Sequence, residues 1–330
     1  MSKVSLEAAR AWVAGVFIGN GARAEAARSV AAALVRAEAE GLKGHGLSRI
    51  PTYLTMLTSG KIDGAAVPTA RRVRAATLAV DAANGFAYPA VDLALAELPA
   101  IVAETGIAAA TISRSNHAGA LGAHVEALAD RGLIALFFAN TPEAIAPAGG
   151  TKAVYGTNPI AFACPLPGRP AIVVDLALST VARGNIVAAN QKGEAIPEGW
   201  ALDAEGQPTT DAAKALKGTM VALGGPKGTA LALMVEVLAA ALTGAHLAFE
   251  ASSFLDDKGP PPGTGQTILV IDPAGFGHGA FGERITTLAG AIEAQAGARL
   301  PGQRRLALRQ KAEAEGIALP ADLVAKYGSA

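Results

Sequence analysis

The sequence has little cysteine, few aromatic side chains and no excess of either charge. Cys164 is the only cysteine among 330 residues, so an intrachain disulfide is excluded and a thiolate cage for zinc is not expected. Lys and Arg together number 28, as do Asp and Glu, which gives a formal net charge of 0. A balanced chain has no long-range field that would steer it onto a phosphate backbone, so we expect no nucleic-acid partner.

No stretch of the sequence has the composition of a signal peptide or a membrane span. Glu7 and Arg10 interrupt the N-terminal residues before an apolar core builds up, so no signal peptide is predicted. The most apolar stretch, 229–249, contains Glu236 and His246, whereas a span needs about 20 apolar residues with few charges. We therefore expect a buried helix there, no membrane partner and a reducing, cytoplasmic location.

The few histidines show no metal-binding spacing. They are His45, His117, His124, His246 and His278. None of them forms an HxxxH or HExxH pair, so no metal site is predicted. A lone histidine is most often a structural residue with satisfied hydrogen bonds, and this interpretation is kept for His124 and His246.

Apolar residues make up 51% of the chain, which is enough to fill a sizeable core, and the length suggests about two domains. Helical periodicity appears in the segments 5–17, 24–41, 47–60, 91–106, 119–132, 228–244, 304–316 and 320–328. Short apolar runs bounded by turn residues predict strands at 77–80, 107–113, 133–139, 160–164, 172–178 and 267–272. This mixture predicts an α/β core, with long polar loops at Asn140–Asn158 and Lys192–Gly218 that are typical of functional segments.

Two glycine-rich motifs resemble nucleotide-binding loops. The segment 274–282, AGFGHGAFG, follows a predicted strand, but only helical sequence comes after it, so a Rossmann unit is excluded. The segment 224–229, GGPKGT, has the wrong order for a phosphate loop and fits a turn before a helix. Lys227 would still be a good anion contact, since the free N–H groups of a helix N-terminus add to its charge.

His45 and Arg49 form the most suggestive pair in the sequence. His45 lies between Gly44 and Gly46, and Arg49 follows four residues later, on the same face if a helix starts here. An imidazole that gives a proton beside a guanidinium that binds a carboxylate suits a 2-oxo or 2-imino acid. The alternative is a helix N-terminus with a solvent-facing arginine.

His117 follows a predicted strand and a polar turn, and Asp175 ends an apolar strand. The small-residue helix start after His117 can admit a pyrophosphate or a nicotinamide ribose, although a capped turn explains the same pattern. A nearly buried carboxylate at Asp175 is costly without a partner, and an imidazole would be such a partner. The alternative is that Asp175 caps the next turn.

Taken together, these segments resemble the type-2 malate/L-lactate dehydrogenase family, which is unrelated to the Rossmann lactate dehydrogenases. The resemblance covers nearly the whole chain and rests on EAEGLKGHGLSRIPTY, AANGFAYPA, SRSNHAGALG, FFANTPEAIAPAGGTKAVYGTNPIAFACP, VVDLALSTVARGNI, KGTALALMVEVL and RLPGQRR. Within the family, the segment 181–211 and the short PPPGTGQ loop are most similar to the Δ1-piperideine-2-carboxylate/Δ1-pyrroline-2-carboxylate reductases.

The resemblance implies a non-Rossmann mixed β-sheet core domain and a helical domain formed by the N- and C-terminal segments. We place the N-terminal helical segment at 1–70 and the cofactor- and substrate-binding α/β core at 71–285. The C-terminal helices at 286–330 would pack with the N-terminal segment. The resemblance also implies a homodimer with its site near the subunit interface.

The resemblance also assigns roles to residues. His45 would donate the proton, Arg49 would bind the substrate carboxylate, Thr157 would contact the substrate and Asp175 would orient His45, with His117 as a second acid–base candidate. The implied cofactor contacts are His117, Ala118, Gly119, Ala120, Leu121, Thr141, Asp175, Leu176, Ala177 and Lys227, together with Gly277 and His278 in a late segment.

The implied activity is reduction of a cyclic imino acid with NADPH as cofactor and NADH as the alternative. The alternatives are a 2-hydroxyacid dehydrogenase of the malate or lactate type and a non-catalytic nicotinamide-binding homodimer. Gly44 stands where the family usually has a serine. A ketone needs a proton on oxygen as the hydride arrives, whereas a cyclic imine is protonated beforehand, so the loss of the serine favours the imine.

Overall fold

The computed structural model describes residues 3–328. Its strands are β1 (Lys3–Val4), β2 (Thr69–Arg74), β3 (Thr77–Asp81), β4 (Ile107–Ser115), β5 (Ile134–Ala139), β6 (Ile160–Leu166), β7 (Arg169–Leu176), β8 (Ala201–Leu202), β9 (Pro208–Thr209), β10 (Thr219–Met220), β11 (Thr264–Ile271) and β12 (Ile317–Ala318). Its α-helices are α1 (Leu6–Gly19), α2 (Ala24–Ala39), α3 (Ile50–Thr58), α4 (Ala87–Thr105), α5 (Gly122–Ala129), α6 (Arg183–Lys192), α7 (Ala212–Lys217), α8 (Pro226–Glu236), α9 (Phe281–Glu293), α10 (Gln303–Glu315) and α11 (Ala321–Tyr327).

A seven-stranded mixed sheet forms the centre, in the order β2-β3-β4-β11-β5-β6-β7. Only the β3–β4 pair is parallel, and α4 provides the crossover between these two strands. The other neighbours are antiparallel, so the sheet is not the parallel sheet of a Rossmann domain. The prediction of a non-Rossmann mixed sheet is confirmed, as are all of the predicted strands.

The sheet is covered by helices because its apolar side chains alternate with the pleat. In β4, Ala108, Ala110 and Ile112 point to the buried face and pack with side chains of α4 and α5. α4 ends at Gly106, whose φ of +75° is the left-handed conformation that glycine adopts at helix ends.

The helical part is built from both ends of the chain, as predicted. α1, α2 and α3 share an apolar cluster with Ile317, Leu319 and Leu323, and β1 pairs with β12. Trp12 donates from Nε1 to the oxygen of Gly328 at 2.9 Å, which ties α1 to the end of α11. The domain limits at 70 and 285 stay a prediction, but α9 packs on β6 and β7 rather than on the N-terminal helices.

Two segments differ from their predictions. The loop 192–218 contains β8, β9 and α7, and its Ile196 and Ala201 share an apolar cluster with Ile145 and Ile186. The apolar stretch 229–249 is not one buried helix, because α8 passes into a π-helical turn, Val237–Ala241, and Leu233 and Val237 are about half exposed. Within residues 3–328, we find no helix of sufficient length and apolarity to cross a bilayer.

Candidate active site

The sheet brings most of the predicted site residues to one edge. β4 ends at Ser115 beside Thr264, the first residue of β11, and β6 begins at Ile160 beside Leu176, the last residue of β7. The loops that leave or enter the sheet at this edge carry His117–Leu121, Thr141, Thr157 and Asp175–Ala177. The antiparallel pairing therefore gathers segments that are far apart in the sequence.

His45 and His117 lie face to face above this edge. Their ring centroids are 5.3 Å apart and their planes differ by 13°. Arg49 lies beside them, since its Nε donates to the backbone oxygen of Gly44 at 2.7 Å. The predicted proximity of His45 and Arg49 is present, and two consecutive 3₁₀ turns produce it rather than one helix.

Glu38 holds the turn that carries His45. Its Oε2 accepts from the backbone N of Leu47 at 3.0 Å, and its Oε1 pairs with Lys43. A Cβ at Gly46 would collide with this carboxylate, so the position requires glycine, whereas a Cβ at Gly44 would meet nothing within 4 Å. The turn therefore depends on Gly46, and Gly44 is free to vary.

Both imidazoles are neutral near pH 7. Burial, and then the charge of Arg49, lower the pKa of His45 to about 4. Burial lowers the pKa of His117 well below its usual range, with smaller effects from Arg49 and His45. Nδ1 of His45 is buried without a hydrogen-bond partner among residues 3–328. A bound anion would offset the charge of Arg49, and a bound polar group would satisfy this nitrogen.

Two aromatic side chains around His117 were missed by the sequence analysis. The hydroxyl of Tyr53 lies 2.5 Å from Nδ1 of His117 and 2.9 Å from the hydroxyl of Tyr88. Phe254 packs edge-on against His117, with a centroid separation of 5.3 Å. Tyr53 lies within the SRIPTY motif, but only the fold shows which residue its hydroxyl contacts.

A buried lysine holds the loop that carries Phe254. Nζ of Lys61 donates to the backbone oxygens of Ser253, at 2.7 Å, and Asp256, at 3.1 Å. The side chain of Lys61 is 1% exposed, and the carboxylate of Asp256 provides the nearby negative charge. These contacts fix the position of Phe254 as an apolar wall beside His117.

Asp175 does not contact His45, which corrects the predicted orienting role. Its Oδ2 accepts from the backbone N of Gly122 at 2.8 Å and from Nη1 of Arg305 at 3.1 Å. The end of β7 faces the first turn of α5, where free N–H groups attract a carboxylate. Burial raises the pKa of Asp175, and the contacts with Gly122 and Arg305 counteract this rise.

A cavity lies next to this ion pair, between the first turn of α5 and the segment that leads into α10. Its lining includes Gly122, Val173, Gly302, Gln303 and Arg305. The helix N-terminus and the guanidinium make one side of the cavity suitable for an anionic group. Arg305 belongs to the family motif RLPGQRR, but its role could not be predicted from the sequence because its partner lies 130 positions away.

Thr157 and Thr141, both predicted to contact ligands, contact each other. Oγ1 of Thr141 accepts from the backbone N of Thr157 at 2.9 Å, and the two hydroxyls are 3.3 Å apart. Below them, the buried carboxylate of Glu236 accepts from Nδ2 of Asn158 at 2.7 Å and from the backbone N of Ala248 at 2.7 Å. This buried network holds the two threonine segments together.

Lys227 and the late glycine-rich segment lie in different places. Lys227 is exposed in the first turn of α8. The loop before α8 is tied to the site edge, because Leu223 donates to Leu178 at 2.8 Å and Leu178 donates to Thr157 at 2.8 Å. Lys227 follows four residues after Leu223, so the loop that leads to it contacts Leu178, which adjoins the predicted cofactor segment 175–177.

Gly277 and His278 are not brought to the same edge, which corrects this part of the prediction. They follow Ile271, which pairs with Ile107 and Ile134, the first residues of β4 and β5. β11 rises about 3.3 Å per residue, so these residues lie roughly 20 Å from the site edge along the strand. Both are exposed, and within one chain they do not join the other predicted contacts.

Comparison with known proteins gives the family. The sequence profile described as malate/L-lactate dehydrogenase matches residues 4–327. The chain is 47% identical over 298 residues to the (2R)-3-sulfolactate dehydrogenase (NADP(+)) of Chromohalobacter salexigens. The aligned region covers 90% of this chain and 89% of that protein. It is also 41% identical over 309 residues to the Δ1-pyrroline-2-carboxylate/Δ1-piperideine-2-carboxylate reductase of Pseudomonas putida. This aligned region covers 92% of this chain and 89% of the reductase.

The solved structures agree with the sequence relatives. The crystal structure of Δ1-piperideine-2-carboxylate reductase from Pseudomonas syringae pv. tomato superimposes with a TM-score of 0.94 at 37% identity, covering 99% of each chain. The structure of a dehydrogenase from Sinorhizobium meliloti has a TM-score of 0.90 at 33% identity, covering 98% of this chain and 96% of the other. The chain belongs to the malate/L-lactate dehydrogenase family and is an oxidoreductase.

Proposed function

We propose that this oxidoreductase is an NAD(P)H-dependent reductase of cyclic imino acids. Its substrates would be Δ1-pyrroline-2-carboxylate and Δ1-piperideine-2-carboxylate, and its products L-proline and L-pipecolate. The observation that carries the proposal is the stacked pair of His45 and His117 beside Arg49, which joins proton donors to one carboxylate-binding cation. Relatives named for these two substrates, at 39–41% identity, support the substrate class.

Each residue of the group has a distinct task in this proposal. The guanidinium of Arg49 binds the carboxylate of the substrate and places the C=N bond beside the imidazoles. His45 donates the proton to the substrate nitrogen, and His117 is the second acid–base candidate. Thr157 positions the ligand from the neighbouring loop. The edge-on contact of Phe254 adds an apolar wall beside His117.

The number of cations near the imidazoles favours a substrate with one negative charge. Arg49 is the cation whose charge shifts the pKa values of His45, His117, Tyr53 and Tyr88. A cyclic imino acid carries one carboxylate, whereas malate and sulfolactate each carry a second anionic group that needs a further cation. The apolar edge of Phe254 also suits the methylene groups of a ring better than a sulfonate.

The residues around Gly122 suit a nicotinamide cofactor, and a relative is named for NADP(+). We propose NADPH as the cofactor, with NADH as the alternative; when bound, it supplies the hydride. The loop 118–121 and the first turn of α5 offer backbone N–H groups, and Arg305 offers a positive charge beside the cavity. Thr141, Asp175–Ala177 and Lys227 complete the proposed contacts around the same edge.

A second candidate function is a 2-hydroxyacid dehydrogenase that acts on sulfolactate, malate or lactate. The observation that favours it is the 47% identity to a sulfolactate dehydrogenase, which is higher than the 41% to the reductase of P. putida. The glycine at position 44 argues for the imine, because a ketone depends more on a hydroxyl that would assist His45.

We also propose that the protein is a cytoplasmic homodimer. Exposed apolar side chains line α8 and the segment after it, and they include Leu231, Leu233, Met234, Val237, Leu242 and Phe249. A patch of this kind is typical of a protein interface. The single buried cysteine is compatible with a reducing compartment.

The absorbance of NADPH tests the proposed function directly. The purified protein is mixed with NADPH or NADH and with each of four acids: pyrroline-2-carboxylate, piperideine-2-carboxylate, 3-sulfopyruvate and pyruvate. The proposal expects the cyclic imines to give the highest kcat/KM. A preference for sulfopyruvate or pyruvate would establish the second candidate.

A further inference from the structure

Two tyrosine hydroxyls form a hydrogen-bonded chain that ends on His117. The hydroxyl of Tyr88 lies 2.9 Å from that of Tyr53, which lies 2.5 Å from Nδ1 of His117. Tyr53 is 1% exposed and Tyr88 is 2% exposed, so bulk water does not compete for these hydrogen bonds. Neither tyrosine has a task in the proposed reaction as described so far.

Three separate parts of the fold build this chain. Tyr53 is in α3, Tyr88 is in the first turn of α4 and His117 follows β4. The loop after His117 is shaped around the hydroxyl of Tyr88, since a Cβ at Gly119 would lie 2.5 Å from that oxygen. Gly119 has a φ of +67°, a backbone conformation that side chains rarely adopt. The close approach of the loop to the hydroxyl of Tyr88 therefore depends on glycine at position 119.

The direction of the hydrogen bonds follows from the protonation states. Burial raises the pKa of Tyr53 and that of Tyr88, so both hydroxyls remain protonated. Burial, Arg49 and His45 lower the pKa of His117, so this ring is neutral and one of its nitrogens is an acceptor. Tyr88 then donates to Tyr53, Tyr53 donates to Nδ1 of His117, and the ring proton of His117 must be on Nε2.

We propose that Tyr53 and Tyr88 are positioning residues that hold His117 as its Nε2–H tautomer and so make His117 a fixed hydrogen donor at the reaction site. The inference rests on the proposed function, because it assigns the donor for that reaction. It also explains how the site keeps an oriented imidazole without a serine at position 44. His117 in turn fixes the plane of His45 through their stacked rings.

NMR of the histidine ring nitrogens tests the tautomer without any turnover. Full-length protein labelled at the histidine nitrogens is compared with Tyr53→Phe and Tyr88→Phe, and His117→Asn identifies the signals of His117. We expect the Nε2–H tautomer in the wild type, a mixture of tautomers in Tyr53→Phe, and a smaller change in Tyr88→Phe. An Nδ1–H tautomer in the wild type, or an unchanged spectrum in Tyr53→Phe, would overturn the proposal.

Steady-state kinetics then test whether the tautomer matters for turnover. One neutral hydrogen bond is worth about 1 kcal/mol, so Tyr53→Phe should lower kcat about fivefold and leave the KM for the imine nearly unchanged. Tyr327→Phe, in α11 and outside the hydroxyl chain, is the matched control and should keep the wild-type kcat. A wild-type kcat in Tyr53→Phe would overturn the role in catalysis. A wild type that reduces no imine would overturn the proposed function while leaving the NMR result to stand on its own.

Discussion

Nε of Arg49 donates to the backbone oxygen of Gly44 across 2.7 Å, so the arginine is fixed to the turn that carries His45. This contact uses one edge of the guanidinium and leaves the Nη groups for a ligand. The imidazole and the cation are thus held by one short segment, 43–49, and do not depend on each other's rotamers.

Replacing Arg49 should weaken binding of the acid far more than binding of the cofactor. A charged hydrogen-bonded contact contributes about 1.5–3 kcal/mol, so Arg49→Ala should raise the KM for the imino acid roughly 10- to 100-fold. Arg49→Lys keeps the charge but loses the forked geometry, and we expect an intermediate KM. The exposed Arg28, which pairs only with Glu25, provides the control variant Arg28→Ala. An unchanged KM in Arg49→Ala would remove Arg49 from the substrate site.

Protonation of His45 links stability to pH. In the folded chain the pKa of His45 is about 4, below its ordinary 6.5, because burial and then Arg49 disfavour the imidazolium. Between these two pH values the unfolded chain binds more protons than the folded chain, so stability is fully present above about pH 6.5 and falls as the pH approaches 4. We expect the Tm to fall over this window, and to fall less in His45→Gln than in the wild type.

The Tm is measured at several pH values between 4 and 8 for the wild type, His45→Gln and a control. His278→Gln is the control, because His278 is exposed at the other edge of the sheet. Its pH dependence should match that of the wild type. Identical slopes in His45→Gln and the wild type would show that His45 is not buried as a neutral ring.

Most of the large sheet was predictable from local sequence, because each predicted strand is a short apolar run between turn residues. β2 was not, since its residues TARRVR are all exposed on an edge strand and carry no apolar run. The small sheet of β8, β9 and β10 was not predicted for a different reason. Its strands are two residues long, which is too short for a periodic pattern.

The site was predictable only where its residues are neighbours in the sequence. His45 and Arg49 are four residues apart in two consecutive 3₁₀ turns, so their proximity follows from spacing. The partner of Asp175 is Arg305, and the partner of His117 is Tyr53, 64 positions away. Sequence patterns indicate the residue types that catalysis needs, but they do not show which side chain a given carboxylate or hydroxyl will contact in the fold.

Arg305 should contribute to cofactor binding, because it lies in the cavity wall with its charge beside the first turn of α5. We expect Arg305→Ala to raise the KM for NADPH about tenfold or more and to change the KM for the acid little. Asp175 would keep its hydrogen bond from Gly122, so the fold should survive. Arg72→Ala, which removes an exposed pair with Glu104 on the edge strand β2, is the control and should leave both KM values unchanged. An equal rise in both KM values for Arg305→Ala would argue for a structural role instead.

The pair Gly44 and Gly46 allows a matched test of substrate choice. A Cβ at Gly44 meets nothing within 4 Å, so Gly44→Ser should fold normally, whereas Gly46→Ser should lower the Tm because its side chain collides with Glu38. If the missing hydroxyl disfavours ketones, Gly44→Ser should raise the ratio of kcat/KM for pyruvate to kcat/KM for pyrroline-2-carboxylate. The absorbance of NADPH gives both rates on one preparation. Comparable efficiency of the wild type on the two acids would refute the link between Gly44 and the imine, because the serine-free site would then already protonate a ketone.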